Sequence, residues 1–501
     1  MSESYTPQTA RFDRLPSQGV VYGCDWSALS AIVVAITITG TALLGESLLA
    51  AFATLPVTGP LAALGLVKRH GQPLMTHVLR EIGGVMRKTL GATTYKARSE
   101  QRKQSSVSAL DLPGREGRIH LHEAANGAVV VLDATKQTAT ISCMIATPGL
   151  GLPQGEAPST LTNEERDALI FEWAKVLGSF TQKEHIVRVT VLEQTRPGTV
   201  AAERVYFEER ALAEVPGVPD SYREALRLAE QAVVSHVTQL GITFKVTGEA
   251  KTLVKGAGGG ISGLLALAGL EMATAEDAMW QAGFTEVAWL TPREWGAWGR
   301  SIIDPASQQA VDVRIGGQWE GVDPQAAVPM LVDEHRTRVE TDSAWHRTYW
   351  IQEWPRYDTY PGFLSRLVFA RQQSGRPVRH TFALVASPVS VGSAMKELDE
   401  HKRTWITNAN LRARAGKPQS AADDADWAAL VQHEADLVAG QGELKFTAYL
   451  TVTATSEDDL EVEAASMLNA CAATGLEPRS MPWQQAEALM NVAYPCGLGM
   501  K

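Results

Sequence analysis

The run from Ser27 to Val67, SALSAIVVAITITGTALLGESLLAAFATLPVTGPLAALGLV, decides how this chain is read, because Glu46 is its single charged residue. A helix needs about 20 apolar residues to cross a bilayer core, and this stretch is roughly twice that length. Ser27 to Leu44, with Ile32, Val33, Val34, Ile36 and Ile38, is one expected span. Ser47 to Val67 is the second, and Gly45, Glu46 and Ser47 make the turn. The long mixed tail before Ser27 disfavours a cleaved signal, which begins with a compact basic segment and one short apolar core. Pro56, Gly59 and Pro60 kink or shorten the second span, so a shallow re-entrant hairpin is the alternative within the membrane reading, and a buried helical hairpin of a soluble body is the rival to it.

The flanks orient the hairpin. Lys68, Arg69, Arg80, Arg87, Lys88, Lys96, Arg98, Arg102 and Lys103 follow it, opposed only by Glu81 and Glu100, while Arg11 and Arg14 precede it. Basic loops stay in the cytoplasm, so the expectation is a multi-pass protein of the cytoplasmic membrane with both termini cytoplasmic. Lys68, Arg69, Arg87 and Lys88 are the expected contacts to anionic lipid headgroups. Contact with DNA is the alternative reading of the same basic stretch.

The 501 residues carry a formal charge of -10, 45% hydrophobic and 20% charged residues, which excludes a largely disordered chain and argues against a general polyanion binder. Cys24, Cys143, Cys471 and Cys496 show no metal or disulfide spacing and read as small buried residues in a reducing compartment. The expected class is α+β, with the hairpin followed by mixed α/β cytosolic modules built on split βαβ (ferredoxin-like) sheets. The expected divisions are a tail (1–26), the hairpin (27–67), a basic linker (68–110), a small α+β module (111–215), a mostly helical middle (216–340) and a split βαβ module (341–501).

Local signals support these divisions. Residues 118–122, 128–132 and 138–146 read as a meander, and Thr162 with Glu165 is a capping box opening a helix through Leu177. A strand is expected over 185–192, a helix over 219–240, a strand over 242–246, and helices over 273–283 and 291–303, where Trp289, Trp295 and Trp298 pack the region. In the last third, strands are expected over 348–354, 379–386 and 444–453. Helices are expected over 362–373, 392–411, 427–438 and 458–473.

Catalytic signals are sparse. The glycine-rich phosphate loop GxxxxGK[ST] is missing, so no ATPase site of that class and no cofactor is expected. Gly258, Gly260 and Gly263 satisfy GxGxxG, but a dinucleotide fold wants a buried strand immediately before that loop, and Thr247 to Lys255 is too polar to supply one. His120, His122 and Glu123 share a strand and offer a weak metal pattern. No catalytic residue and no metal site is assigned.

The stretch Trp345 to Pro355 (WHRTYWIQEWP), the helix start at Gly362, Phe363 and Leu364, and the ending Trp483 to Gly497 (WQQAEALMNVAYPCG) resemble the N-terminal domain of the large VirB-type ATPase of conjugative type IV secretion systems. The front end, with Arg14, Leu15, Pro16 and Gly19 before an apolar hairpin, is similar to the small PrgI-type two-span subunit that accompanies that ATPase. Residues 112–195, notably Gly127 to Asp133 (GAVVVLD) and Phe171 to Trp173 (FEW), also resemble a cytosolic domain of an actinobacterial type VII secretion membrane component. The first two resemblances imply a non-catalytic, membrane-anchored structural subunit of an actinobacterial conjugation-type apparatus. Its implied partners are a separate motor ATPase, other inner-membrane secretion subunits and anionic lipid, in an oligomeric assembly. Arg347, Trp350, Trp354, Arg356, Tyr357, Tyr360 and Phe363 are the candidate partner surface, since aromatic and arginine side chains are favoured at interfaces. The alternatives are a type VII secretion component and a membrane-tethered nucleotide-binding enzyme using the Gly258 to Gly263 loop.

Overall fold

The computed structural model describes residues 12, 26–44, 48–69, 72–97, 108–114, 118–146, 162–210, 218–232, 234–314, 320–360, 362–372, 375–414, 416, 419–438 and 442–497. It opens on two helices packed against each other, α1 (Trp26–Leu44) and α2 (Leu48–Leu66). A short ribbon, β1 (Lys68–Arg69) with β2 (Gln72–Pro73), leads into α3 (Leu74–Thr89) and β3 (Thr94–Lys96). A meander of β4 (Ser108–Asp111), β5 (Arg118–Glu123), β6 (Val129–Asp133) and β7 (Thr138–Ala146) follows. Next come α4 (Asn163–Thr181), β8 (Ile186–Pro197), α5 (Ala201–Arg210), α6 (Val218–Ala232), β9 (Val234–Lys245), α7 (Glu249–Gly256), α8 (Gly260–Gln281) and β10 (Glu286–Trp289). Helices α9 (Pro292–Ile303), α10 (Gln308–Asp312) and α11 (Pro324–Ala327) then lead to β11 (Leu331–Glu334), β12 (Val339–Glu340) and β13 (Trp345–Glu353). The chain continues through α12 (Ser365–Val368), β14 (His380–Val389), α13 (Val391–Arg414), α14 (Ala421–Val438), β15 (Glu443–Ala454), α15 (Glu457–Thr474), β16 (Glu477–Ser480) and α16 (Gln485–Ala493).

Among the described residues, fourteen strands form one antiparallel sheet in the order β3-β11-β12-β13-β15-β14-β8-β9-β7-β6-β5-β4, with β16 pairing β13 and β10 pairing β7. The chain builds the same arrangement twice. The first half runs β10-β7-β9-β8 across the sheet and the second runs β16-β13-β15-β14, each the order fourth, first, third, second. Registers repeat as well. The first residue of β7 faces the last of β9 (Thr138 and Lys245), as the first of β13 faces the last of β15 (Trp345 and Ala454). Pro197 faces Val234 where β8 meets β9, and Val389 faces Glu443 where β14 meets β15. Each half carries a helical pair between its second and third strands, α5–α6 and α13–α14. The halves join through their second strands, with Val191 opposite Leu384 and Leu192 opposite Ala383.

Burial follows the pleat, since neighbours along a strand face opposite sides. Val189, Ile141 and Ile242 pack under α4 and α8 in the first half, while Phe382, Leu450 and Val452 pack with Leu460 and Met467 of α15 in the second. Leu192, Ala383, Val385 and Tyr449 face the other side, where α9 and α16 of the two halves meet over the core residues Trp295, Trp298, Leu489 and Tyr494. Local signals behave as their chemistry requires. Thr162 and Thr291 each accept from the backbone of a glutamate three residues on, Glu165 and Glu294, and both capping boxes are complete. Gly475 closes α15 in the left-handed conformation.

Several expectations are corrected. Among the described residues no single helix is long and apolar enough to cross a membrane. Ile32–Leu44 is the apolar part of α1, and α2 contains Pro56 and Pro60, so the N-terminus is a packed hairpin of short apolar character and not a clear pair of spans. The helix expected over 219–240 stops at Ala232, because Val234 to Lys245 is captured between β7 and β8 as a central strand. The expected helix over 362–373 shrinks to Ser365–Val368: Gly362 adopts φ +85° and Arg371 bridges back to Pro377. The sheet itself runs on between segments on either side of positions 215 and 340, since β8 bonds β9 on one edge and β14 on the other.

Candidate membrane and partner surfaces

Helices α1 and α2 turn apolar side chains outward. Val33, Val34, Ile36, Leu43 and Leu44 of α1 and Val57 of α2 are exposed, while Ala35 and Thr58 are buried. The threonines are internally satisfied. Thr37, Thr39 and Thr58 donate to carbonyls four residues upstream (Val33 O, 2.8 Å; Ala35 O, 2.9 Å; Thr54 O, 3.1 Å), and Thr41 donates to Ile38 O at 3.0 Å. Such back-bonding leaves these side chains with no hydroxyl donor that needs water, as an apolar solvent demands. The bent helical pair α7–α8 also has apolar composition, but Gly263, Leu264, Leu267, Ala268 and Met272 of α8 are buried on the sheet.

Helix α3 is amphipathic and inverted. At 100° per residue Leu74, Val78, Ile82, Val85, Met86, Leu79 and Leu90 fall on one arc, and His77, Arg80, Glu81, Gly84, Arg87 and Lys88 on the other. The polar arc meets the body. Gly84 is buried against the indole of Trp483, Arg87 pairs with Glu334 at 3.2 Å and donates to the Trp483 carbonyl, and Glu81 accepts from Arg336 (Nε, 2.9 Å) and from the Trp483 indole N–H (2.9 Å). These donors hold the Glu81 carboxyl below its usual range. The apolar arc is left outside, with Val78, Leu79, Ile82, Val85, Met86 and Leu90 all exposed. Of the expected lipid contacts, Lys88 is exposed at the rim, whereas Arg87 is engaged with Glu334. Lys68 and Arg69 form β1 at the foot of the hairpin, and their side chains lie outside the described residues.

The expected partner residues divide. Trp350 donates to Thr447 Oγ1 (2.8 Å) and packs on the core, and Arg347 donates to both oxygens of Glu461 (Nη1 to Oε2, 2.9 Å). Trp354, Phe363 and Phe446 form an aromatic recess that receives Phe12 of the tail, with ring centroids 5.0 Å from Trp354 and 5.7 Å from Phe363. Arg356 pairs with Glu353, and Tyr357 and Tyr360 are more than half exposed. Tyr357 and Tyr360 are therefore the most accessible of the set, and the side chains of the strand β13 serve the fold.

The interior holds polar groups that sequence reading missed. His346 is fully buried between Thr341 Oγ1 (2.8 Å) and Thr453 Oγ1 (2.9 Å), and burial pushes its pKa down to about 3. Burial also drives Glu463 up to about 7, although Gln372 donates to it at 2.8 Å. Arg379, brought down to about 10 by burial, reaches Gln308 at 2.6 Å. A cavity of about 10 Å³, room for about one water, lies among Thr195, His236, Phe369 and Pro377. The GxGxxG glycines link two helices, with Gly263 pressed on the Val254 carbonyl, so the strand that a dinucleotide site requires is not in front of them. Among the described residues, His120 and His122 do not meet a third ligand; the group that does cluster is Asp333, His335 and Glu340, whose ligand atoms lie within 4.8 Å of one another. There His335 stacks on Trp345, and Asp333 accepts from Thr94 at 3.0 Å. Cys143, Cys471 and Cys496 are buried thiols, and Cys24 lies outside the described residues.

No family model matches this chain, and no match to it was found among curated proteins.

Proposed function

We propose that this chain is a non-catalytic, membrane-anchored structural subunit of a conjugation-type, type IV-like secretion apparatus, whose body docks a separate motor ATPase at the cytoplasmic membrane. The observation that carries the anchoring is the hairpin α1–α2, which exposes Val33, Val34, Ile36, Leu43, Leu44 and Val57 while its threonines bond internally. An apolar surface of that kind is stable when lipid covers it. The hairpin enters the bilayer shallowly, with both ends on the cytoplasmic side, and other inner-membrane subunits and anionic lipid complete an oligomeric assembly.

The body is read as two split βαβ units of ferredoxin-like order fused through β8 and β14, the arrangement that the repeated strand order supports. Broad helical and loop surfaces suit docking, and Tyr357 and Tyr360 present exposed aromatic side chains for it. The secretion assignment draws on the likeness of residues 345–497 to the front domain of the VirB-type ATPase. Affinity purification of the full chain in mild detergent tests it. Recovery of a conjugation-type motor ATPase supports the reading, and reproducible recovery of a type VII ATPase in its place overturns it.

A further inference from the structure

We propose that α3 lies in the plane of the bilayer as an interfacial helix, its apolar face in the boundary between headgroups and acyl chains and its polar face on the body. This rests on the membrane reading of the hairpin and adds to it a second, shallower contact that sets the height and tilt of the sheet above the membrane.

An amphipathic helix of a water-soluble body docks by its apolar stripe and shows its charges to solvent. Helix α3 does the reverse. Val85, Ile82 and Met86 are 53%, 58% and 60% exposed, while Gly84 on the opposite face is buried. The orientation is set by specific chemistry: Gly84 admits the Trp483 ring, Arg87 finds the buried Glu334, and Glu81 accepts from both Arg336 and Trp483. Rolling the helix over to bury its apolar arc would strand Glu334, only 3% exposed, without its cation. The helix is thus held with its oily side out.

Its neighbours identify the occupant. Helix α3 touches both α1 and α2, so its exposed arc continues the apolar surface of the hairpin. Exposed Lys88 borders the arc, where a long amine stem reaches phosphate while its methylenes stay apolar. In-plane helices of this composition bury their apolar face about 5–10 Å deep.

The test uses the full-length chain with Cys24→Ser and single labelling sites, Met86→Cys on the outward face, Lys88→Cys on the polar face and Ile36→Cys on α1. Cys143, Cys471 and Cys496 are buried, and Met86, Lys88 and Ile36 are exposed, so labelling leaves the fold intact. Each carries an environment-sensitive fluorophore, and the protein is reconstituted in phosphatidylcholine–phosphatidylglycerol vesicles with bromine at defined acyl positions. The expected result is quenching of the Met86 label by bromine nearest the headgroups, of the Ile36 label by deeper bromine, and little quenching at Lys88. Quenching at Ile36 with none at Met86 overturns the interfacial helix while leaving the hairpin in place. Quenching at Met86 as deep as at Ile36 also overturns it, and absence of quenching at both overturns the hairpin reading itself.

Discussion

Two adjacent glycines in α3 have opposite fates on gaining a methyl group. A Cβ at Gly84 would lie 2.0 Å from Cγ of Trp483 and within 2.3 Å of two more ring atoms, whereas a Cβ at Gly83 meets nothing within 4 Å. Carbon pairs pack at about 3.5–4.0 Å, so Gly84→Ala forces helix and indole apart by roughly 1 Å or more. Overpacking of that kind costs about 1–3 kcal/mol. Trp483 has little room to give way, since it holds φ +59° and bonds to Arg336 O (2.8 Å) and Glu81 (2.9 Å). Releasing the helix altogether also breaks the pair between Arg87 and buried Glu334, so partial displacement is the cheaper outcome. Gly83→Ala, in contrast, gains about 0.5–1 kcal/mol of helix propensity. Amide hydrogen exchange of detergent-solubilised protein reads both: protection in Leu74–Thr89 falls roughly 5- to 150-fold in Gly84→Ala and rises a few-fold in Gly83→Ala. Equal protection in the two variants would refute the docking of α3 by its polar face.

Other outcomes follow from the same geometry. In Gly299→Ala the added methyl would lie 2.1 Å from the ring of fully buried Tyr494, so urea unfolding should show a lower midpoint, by about 1–3 kcal/mol, at unchanged slope. Glu463, raised to about 7 by burial, favours its protonated form when folded; it therefore removes up to about 3 kcal/mol of stability as pH rises from about 4.5 to 7, and Glu463→Gln should flatten that part of the stability–pH curve. His346, depressed to about 3, acts with the opposite sign: stability present above the ordinary imidazole pKa of 6.5 is lost as pH falls toward 3, so His346→Gln should be less acid-sensitive than the parent between those limits.

What the sequence disclosed was set by the range of the interactions involved. Capping at Thr162 and Thr291 is decided within three residues, and the alternation from Leu444 to Thr453 within one strand, so both were legible. The central strand Val234–Lys245 was half hidden, because Val233, Val234 and Val237 continue the helical spacing of Leu226 and Ala229, and only pairing with β7 and β8 decides the matter. The duplication was illegible, since the fourth-first-third-second order depends on registers between residues about 100 apart, such as Thr138 with Lys245. At the surface, the basic character of the segment after the hairpin was readable, but the capture of Arg87 by Glu334 was not, nor was the inversion of α3 that Gly84 and Trp483 impose. Aromatic residues near 350 announced themselves by type, yet pairing with Thr447 and Glu461 places Trp350 and Arg347 in the fold and leaves Tyr357 and Tyr360 outside.

The claim on which the account depends is that the hairpin dwells in lipid, and alkaline carbonate extraction of membranes from cells expressing the full chain tests it most directly. The protein should remain in the membrane pellet through carbonate and high salt and move to the supernatant only with detergent. Release into the supernatant by carbonate alone would contradict the account.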